Sequence, residues 1–598
     1  MLEDTRNQPA ADSEVQVAED TARGLSAPAA ASLAVLATAL AACGGGDGDT
    51  AGGGGSGTSV LKPDTDAAAA RFILQTSIGA STSKIDSVMR LGFEPWLDRE
   101  MAVRGGSGIS WLAAVGYSDV DINAWYDRSN PGDYMIWNQL MSGGGEVRKR
   151  AALALSEILV VSLDGVDFRW KSQGIARYWD ILQDNAFGSF RTLLEDITLN
   201  PAMGVWLNTR GNRKADGNGR APDENYAREV MQLFTFGLYQ LNPDGTVRLD
   251  SGGNPIETYT TEDVQELAKV FTGFDFDYSQ NVLRKRFDDP TKTVDSIEYT
   301  QLPMTADPSR WKYPRTTGYH SEEAKNFLGV SIPAGTGADA SLKIALDTLA
   351  GHPNVGPFLA RQLIQRLVTS NPSPDYVQRV AAKFDNNGRG ERGDLGAVFK
   401  AVWLDPEALD TAQVSSATFG KIREPILRFA QWGRTFDARS TSGKWEVRDT
   451  KDAASALGQS PLRSPSVFNF FRPGYVAPNS NSASANLVAP ELQIIDESTV
   501  PGYINFMSRT IEGSNWRTQD LETSYTDEVA IAHDATALLD RLDLLLTARQ
   551  LSDTSRATIL SALAGDGVTQ TSPTESKLRR VHAAVMLVMA APEYLVQS

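Results

Sequence analysis

Along most of this chain apolar residues recur at spacings of three and four, and they almost never alternate. Side chains that return to one face every 3.6 residues belong to helices, whereas strands need a period of two. The rhythm runs through Ala67–Leu74, Glu146–Val161, Tyr178–Leu182, Phe190–Ile197, Thr261–Phe271, Ser341–Ala350, Val355–Thr369 and Leu578–Met589. It predicts a mainly α fold: a large multi-helix domain with αα-hairpins, long irregular loops and little β. Asn371-Pro372-Ser373-Pro374 supports this, because it ends one helix and gives the next a Ser cap and a first-turn Pro. Asp385-Asn386-Asn387-Gly388-Arg389-Gly390 then makes a turn. That turn starts like a calcium loop, but Gly396 stands at the twelfth position, where the bidentate Glu would be needed. Two stretches, 275–318 and 439–486, lack periodicity and are long enough to be functional loops or disordered segments.

With 598 residues and 41% hydrophobic composition, the chain can bury the core of about three or four domains, or of one very large one. Its 74 acidic residues outweigh 57 basic ones, for a formal charge of −17, so no nucleic-acid partner is expected. A single cysteine, Cys43, excludes an intrachain disulfide and a thiolate metal cage.

The amino end accounts for that cysteine. Ala29–Ala42 is a short, alanine-rich apolar run that ends in Leu40-Ala41-Ala42-Cys43, which resembles the lipobox of bacterial lipoproteins. The Gly-rich stretch Gly44–Ser59 reads as a flexible tether. The leader departs from the pattern, with Glu3, Asp4, Asp12, Glu14, Glu19 and Asp20 against Arg6 and Arg23, where a basic segment belongs. A start codon placed too far upstream would explain this; an Ala/Gly tail with an idle cysteine is the alternative reading. The expected organisation is an export leader over 1–43, a tether over 44–64 and a helical region over 65–598 in one body or two lobes. The expected location is the cell envelope, on its periplasmic or outer-membrane face, with lipid on Cys43.

The stretch from Asn208 to Glu229, NTRGNRKADGNGRAPDENYARE, concentrates candidate chemistry. Its loop carries Arg210, Arg213, Lys214 and Arg220 against one acid, Asp216, with Gly211, Gly217 and Gly219 to let backbone approach a ligand. With Asp223 as N-cap, a helix wound at about 100° per residue puts Glu224, Asn225, Arg228, Glu229 and Gln232 on one polar arc. Tyr226, Val230, Leu233, Phe234, Gly237 and Leu238 fill the other arc, and Phe236 is the one large apolar residue on the polar side. One reading is a surface helix with a Glu224 to Arg228 ion pair. The other is a site with Glu224 and Glu229 as general acid or base, Arg228 holding ligand, and Asp223, Asn225, Arg213 and His320 as binding residues. In that reading the basic loop and the carboxylate-headed helix close on an anionic or polyhydroxylated ligand, and Asp223, Glu224 and Asn225 offer oxygen ligands to Ca²⁺ or Mg²⁺.

Neither His320 nor His352 has a second histidine four residues on, and no Gly-x-Ser-x-Gly elbow or Walker loop occurs. The two Gly-x-Gly-x-x-Gly matches, Gly52–Gly57 and Gly388–Gly393, follow no predicted strand. Zinc, haem and nucleotide cofactors therefore lack support. Arg148, Arg150, Glu157, Arg423, Glu424 and Arg428 sit in otherwise apolar helices, where inter-helix ion pairs are the expected arrangement. Phe468, Phe470, Phe471 and Tyr475 suit either a core or a platform for sugar rings.

Several long motifs follow one another in order: Pro222-Asp-Glu-Asn-Tyr-Ala-Arg-Glu-Val-Met-Gln-Leu-Phe-Thr-Phe-Gly-Leu, Tyr259-Thr-Thr-Glu-Asp-Val, Phe271-Thr-Gly-Phe, and Tyr319-His-Ser-Glu-Glu-Ala-Lys with Leu328-Gly329. His352-Pro-Asn-Val, Arg361-Gln-Leu-Ile, Gly420-Lys-Ile-Arg-Glu-Pro and Ser464-Pro-Ser-Val-Phe-Asn continue the series. Together they resemble the DUF1800 family over Thr65 to Ser598. The resemblance brings no established activity. It implies an exported bacterial protein and makes a DUF1501-family protein a candidate partner. Two functions fit: an enzyme acting on an envelope or extracellular polymer, or a non-catalytic scaffold for another exported protein.

Overall fold

Twenty-four α-helices are formed among residues 60–598, the part of the chain that this computed structural model describes. Strands are confined to four two-stranded antiparallel sheets, so the fold is mainly α with little β. Cys43 and most of the Gly-rich tether lie outside the described residues. No helix among the described residues is long and apolar enough to cross a membrane.

Local sequence sets many of the helix ends. Thr65 caps helix Asp66–Thr76 by accepting from the Ala68 N–H, and Thr260 and Asp263 form a reciprocal capping box on helix Thr261–Val270. The predicted αα-hairpin is present: Val355–Leu367 turns through 371–374 into Pro374–Asp385, with Ser373 Oγ accepting from Tyr376 N. In the turn that follows, Asn386 Oδ1 accepts from Gly388 N and Gly390 N, so its carbonyl serves the turn itself.

Residues 60–598 form one compact unit, and long-range contacts close it. Arg71, buried in the first described helix, donates to the carbonyl of Ser598 at 2.8 Å and to that of Ala408 at 2.7 Å. Val596–Gln597 pairs antiparallel with Lys421–Ile422. Aromatic packing fills the interior between: Phe429 meets Trp137 edge-on at 4.9 Å and Phe506 at 5.3 Å.

Both long aperiodic stretches are ordered. In 275–318, Leu283–Lys285 pairs with Thr293–Asp295 while Tyr278 stacks on Tyr299 at 4.9 Å. In 439–486, Arg463 binds Asp133 through two hydrogen bonds of 2.5 and 2.9 Å.

Three expectations need correction. The helix read as Glu146–Val161 stops at Ser156, and Ile158–Val161 continue as buried non-helical chain. From Ala151 to Val161 every residue is buried and all but Ser156 and Glu157 are apolar, so periodicity does not mark where the helix ends. The helix after Asp223 starts as Asn225–Glu229 and then widens into a π-helix over Val230–Thr235. Thr235 Oγ1 donates to Val230 O at 2.6 Å, and Phe236 N reaches back five residues to Met231 O. This breaks the 100° register on which the polar arc rested. Phe236, at the far end of the π-helix, is consequently buried and stacked on His352 at 4.2 Å, whereas Glu229 precedes the π-helix and is buried where helix Thr261–Val270 packs along Asn225–Glu229.

The charges within apolar helices form fewer ion pairs with one another than expected. Glu157 pairs with Arg366 at 3.4 Å, but Arg150 donates to the Arg366 carbonyl, Arg423 to that of Tyr594 and Arg428 to that of Arg423. Arg148 binds the carbonyls of Met101, Val103 and Gln183, and Glu424 accepts from Gln459. Carbonyls at helix ends need donors, and a guanidinium can serve several at once.

Candidate functional site

The base of the basic loop and the head of the acidic helix are joined. Asn212 is buried, and its side chain both accepts from Asp223 N at 2.9 Å and donates to Asp223 O at 3.2 Å. Asn208 Nδ2 donates to Asp223 Oδ2 at 3.2 Å, and Asp223 Oδ1 accepts from Asn225 N at 2.9 Å, an Asx turn that sets the helix start.

Several of the loop's cations turn away from the helix. Arg210 pairs with Asp275 at 3.0 Å and lies over Phe276, Arg220 pairs with Asp216 at 3.3 Å, and Arg213 stacks 4.1 Å above Tyr319. Tyr319 is itself stacked on Trp311, so Arg213 caps an aromatic pile. Lys214 is exposed and has no charge partner among the described residues.

At the helix, Glu224 and Arg228 form the expected pair at 3.0 Å, with side chains 35% and 42% exposed. Asp223 oxygens serve amide donors and Glu224 serves a guanidinium. A cation at Asp223, Glu224 and Asn225 would therefore have to displace Arg228 and the Asn208 amide. Among the described residues no group of three or more His, Cys, Asp or Glu is arranged to hold a metal ion.

Glu229 has a different environment. It is 8% exposed, and its Oε2 is buried without a hydrogen-bond partner. Burial pushes its carboxyl up to about 7 against the opposing pull of Arg228. Helix Thr261–Val270 packs along Asn225–Glu229, and Tyr259, just ahead of it, donates to Gln232 Oε1 at 3.1 Å. Tyr259 is within reach of the charges on Arg228 and Glu229, and burial raises its phenol to about 12. The result is a carboxyl populated in both protonation states near neutrality, the property a general acid or base needs.

His320 belongs to a neighbouring arrangement. Its Nδ1 lies 2.9 Å from the Thr272 carbonyl, which accepts a hydrogen bond from Nδ1–H and so makes Nε2 the bare acceptor in the neutral ring. That Nε2 is buried without a partner, and burial holds the imidazole below its usual range, hence neutral at pH 7. Gly273 makes the approach possible: at its φ of 86° a Cβ would meet His320 N at 2.5 Å. The charges acting on His320 are those of Lys325 and Glu322, and the one acting on Glu229 is that of Arg228. Asp223, Glu224, Asn225, Arg228 and Glu229 thus form one cluster joined to the loop, whereas Arg213 and His320 belong to the adjoining 272–320 surface.

Sequence reasoning put Gln232 on the polar arc and Tyr259 in a motif but did not join them beside Glu229, and it missed the clamp that ends the π-helix. There Asn354 Nδ2 donates to the carbonyls of Phe236 and Tyr239, while Asn354 Oδ1 accepts from Leu241 N. The His352-Pro-Asn-Val motif was visible, but only the fold shows which carbonyls it serves.

Fold and site together define a mainly helical protein with one buried carboxyl, Glu229, whose Oε2 has no hydrogen-bond partner, on the helix that follows a basic loop. The family model described as "Protein of unknown function (DUF1800)" matches residues 71–596, and the chain belongs to that family. Neither the curated proteins nor the solved structures yield a match.

Proposed function

We propose that the protein is exported, anchored to the envelope by lipid on Cys43, and acts on an envelope or extracellular polymer through the carboxylate/arginine site at 223–229. In this reading Glu229 exchanges the proton, while Arg228 and Glu224 hold a polar ligand group at the exposed side. The observation that carries it is the unpartnered Glu229 oxygen, on a carboxyl poised at about 7 and next to an arginine that reaches solvent. The exposed Lys214 would then hold the ligand from the loop side, with Arg213 joining it only by leaving the Tyr319 ring, and any Ca²⁺ or Mg²⁺ would bind only by displacing Arg228.

The test compares native protein with Glu229→Gln, which keeps shape and removes the titration. Both are incubated with isolated cell walls and extracellular polysaccharide from pH 5 to 9, with soluble products and retained ligands read by mass spectrometry. The variant should lose about 10²- to 10⁴-fold in product formation, the usual range for one general acid or base. Equal product from both proteins, with melting unchanged, defeats the catalytic reading. Cys43→Ala should move the protein from the membrane to the soluble fraction.

A second reading is a scaffold for another exported protein, with a DUF1501-family protein as the candidate. What favours it is that Arg210, Arg220, Glu224 and Arg228 already pair within the chain, as groups on a fixed docking surface do. Co-purification with such a partner, abolished by charge reversal at Arg228 and accompanied by no product in the assay above, would select this reading.

A further inference from the structure

A cavity of about 480 Å³ shares no residue with the 223–229 site. Its size falls within the usual range for small-molecule sites, about 300–1,000 Å³. Its walls come from three places distant in sequence: the start of helix Thr82–Leu91, the turn Ser142–Glu146, and the segment Arg434–Trp445.

The floor is a fixed cluster of charges. Glu146 Oε1 accepts from Ile78 N and Gly79 N, and Oε2 accepts from Lys84 Nζ at 2.7 Å, with Arg434 3.7 Å away. Lys84 and Arg434 hold the Glu146 carboxyl down at about 2 despite its burial, so it stays ionised. Lys84 gives a second N–H to Gly79 O and keeps one for a ligand, with its side chain 30% exposed. Arg434 is committed to the carbonyls of Gln139, Leu140, Ser142 and Gly143, and so anchors the turn.

The third wall is held under strain. Asp437 and Trp445 line the cavity with φ of 49° and 50°, in the left-handed region that non-glycine residues seldom occupy. Such conformations persist only where the surroundings enforce them, and they gather at ligand clamps. The enforcement here is Asp520, buried, whose carboxylate accepts from Ser440 Oγ, Thr441 Oγ1, Ser442 N and Glu446 N. Ser440 Oγ in turn accepts from Trp445 N at 2.9 Å. The wall is therefore preorganised before any ligand arrives.

Lys84, Arg434 and Arg439 face Glu146 and Asp437, three cations against two anions, within a protein whose formal charge is −17. Arg439 donates to Asp437 through Nε at 3.1 Å and through Nη2, so the third N–H of Lys84 and the Nη1 group of Arg439 are the donors left for an anion, which the excess of one cation favours. The Ser81 hydroxyl and the small exposed part of Trp445, 7% of that residue, line the same space, a combination that suits a ring with polar edges and an apolar face. We infer that this cleft binds a carboxylated sugar unit, its carboxylate between Lys84 and Arg439 and its ring against Trp445.

The probe is trigalacturonate, titrated calorimetrically into the full-length protein, with neutral galactotriose and inorganic phosphate as parallel arms. The acidic trimer should bind at least tenfold more tightly than the neutral one, and raising salt from 50 to 500 mM should weaken it severalfold. Arg439→Gln, at a side chain 78% exposed and so harmless to folding, should reduce affinity about three- to tenfold. Lys84→Met should abolish binding; if that variant melts early, Arg439→Gln stands as the deciding variant. Equal affinity for the neutral trimer, binding of phosphate alone, or no effect of Arg439→Gln would each overturn the assignment. Because Glu229 takes no part, Glu229→Gln should bind the trimer normally, which separates failure here from failure of the polymer-acting reading.

Discussion

Residues 208–229 and the ionic core around Glu157 both concentrate charge, yet they manage it in opposite ways. In the core, Lys421 and Glu491 pair at 3.1 Å with side chains 1% and 2% exposed, and Glu157 meets Arg366 at 5% and 6%. Burial, reinforced by Glu424, pushes the Glu157 carboxyl well up, and every charge there is surrounded by protein. In the 208–229 segment the pair Glu224–Arg228 is wet, and only Glu229 is dry. A wholly buried network couples charge to folding, whereas one dry carboxyl beside a solvent-reaching arginine couples charge to what lies outside. The same residue types therefore mark a structural keystone in one place and a candidate site in the other.

The comparison can be broken at its strongest point first. Glu491→Ala leaves Lys421 buried and unpaired, and should lower stability by about 3–5 kcal/mol in denaturant unfolding followed by tryptophan fluorescence. A loss below about 1 kcal/mol would mean water already reaches that core. Next, Glu229 is protonated in the folded chain up to about pH 7, but only to about 4.5 when unfolded. Between those values the folded state binds more protons, so stability falls as pH rises through the window. Unfolding at pH 5 and pH 8 should differ by on the order of 2–3 kcal/mol more in the native protein than in Glu229→Gln. No such difference would make Glu229 an ordinary solvated acid and remove the contrast.

Smaller effects sharpen the picture. Thr235→Val removes the hydroxyl that bonds Val230 O inside the π-helix and should destabilise by about 1 kcal/mol, measured the same way. Arg228→Gln breaks only a wet i,i+4 pair and should change stability by no more than about 0.5 kcal/mol. If it instead matches the Glu491→Ala loss, Arg228 belongs with the core residues.

Much of this was legible before folding. The Ser373 cap and the Glu224 to Arg228 spacing are local, and they appear as expected. The burial of Glu229 was not legible, because the helix that covers it, Thr261–Val270, comes from further along the chain, and the burial of Phe236 was not, because the π-helix breaks the uniform register the polar arc assumed. Nor was the Lys84, Glu146 and Arg434 cluster, whose members lie 62 and 288 residues apart along the chain.

The sequence by itself determined family, the helical class, many of the caps and the residues of the 208–229 segment, since these depend on neighbours within a few positions. Tertiary structure alone decided which carboxyl is dry, which cations are already engaged and where a cleft opens. Solvation and charge pairing depend on what packs from elsewhere in the chain, and a local pattern carries no record of that.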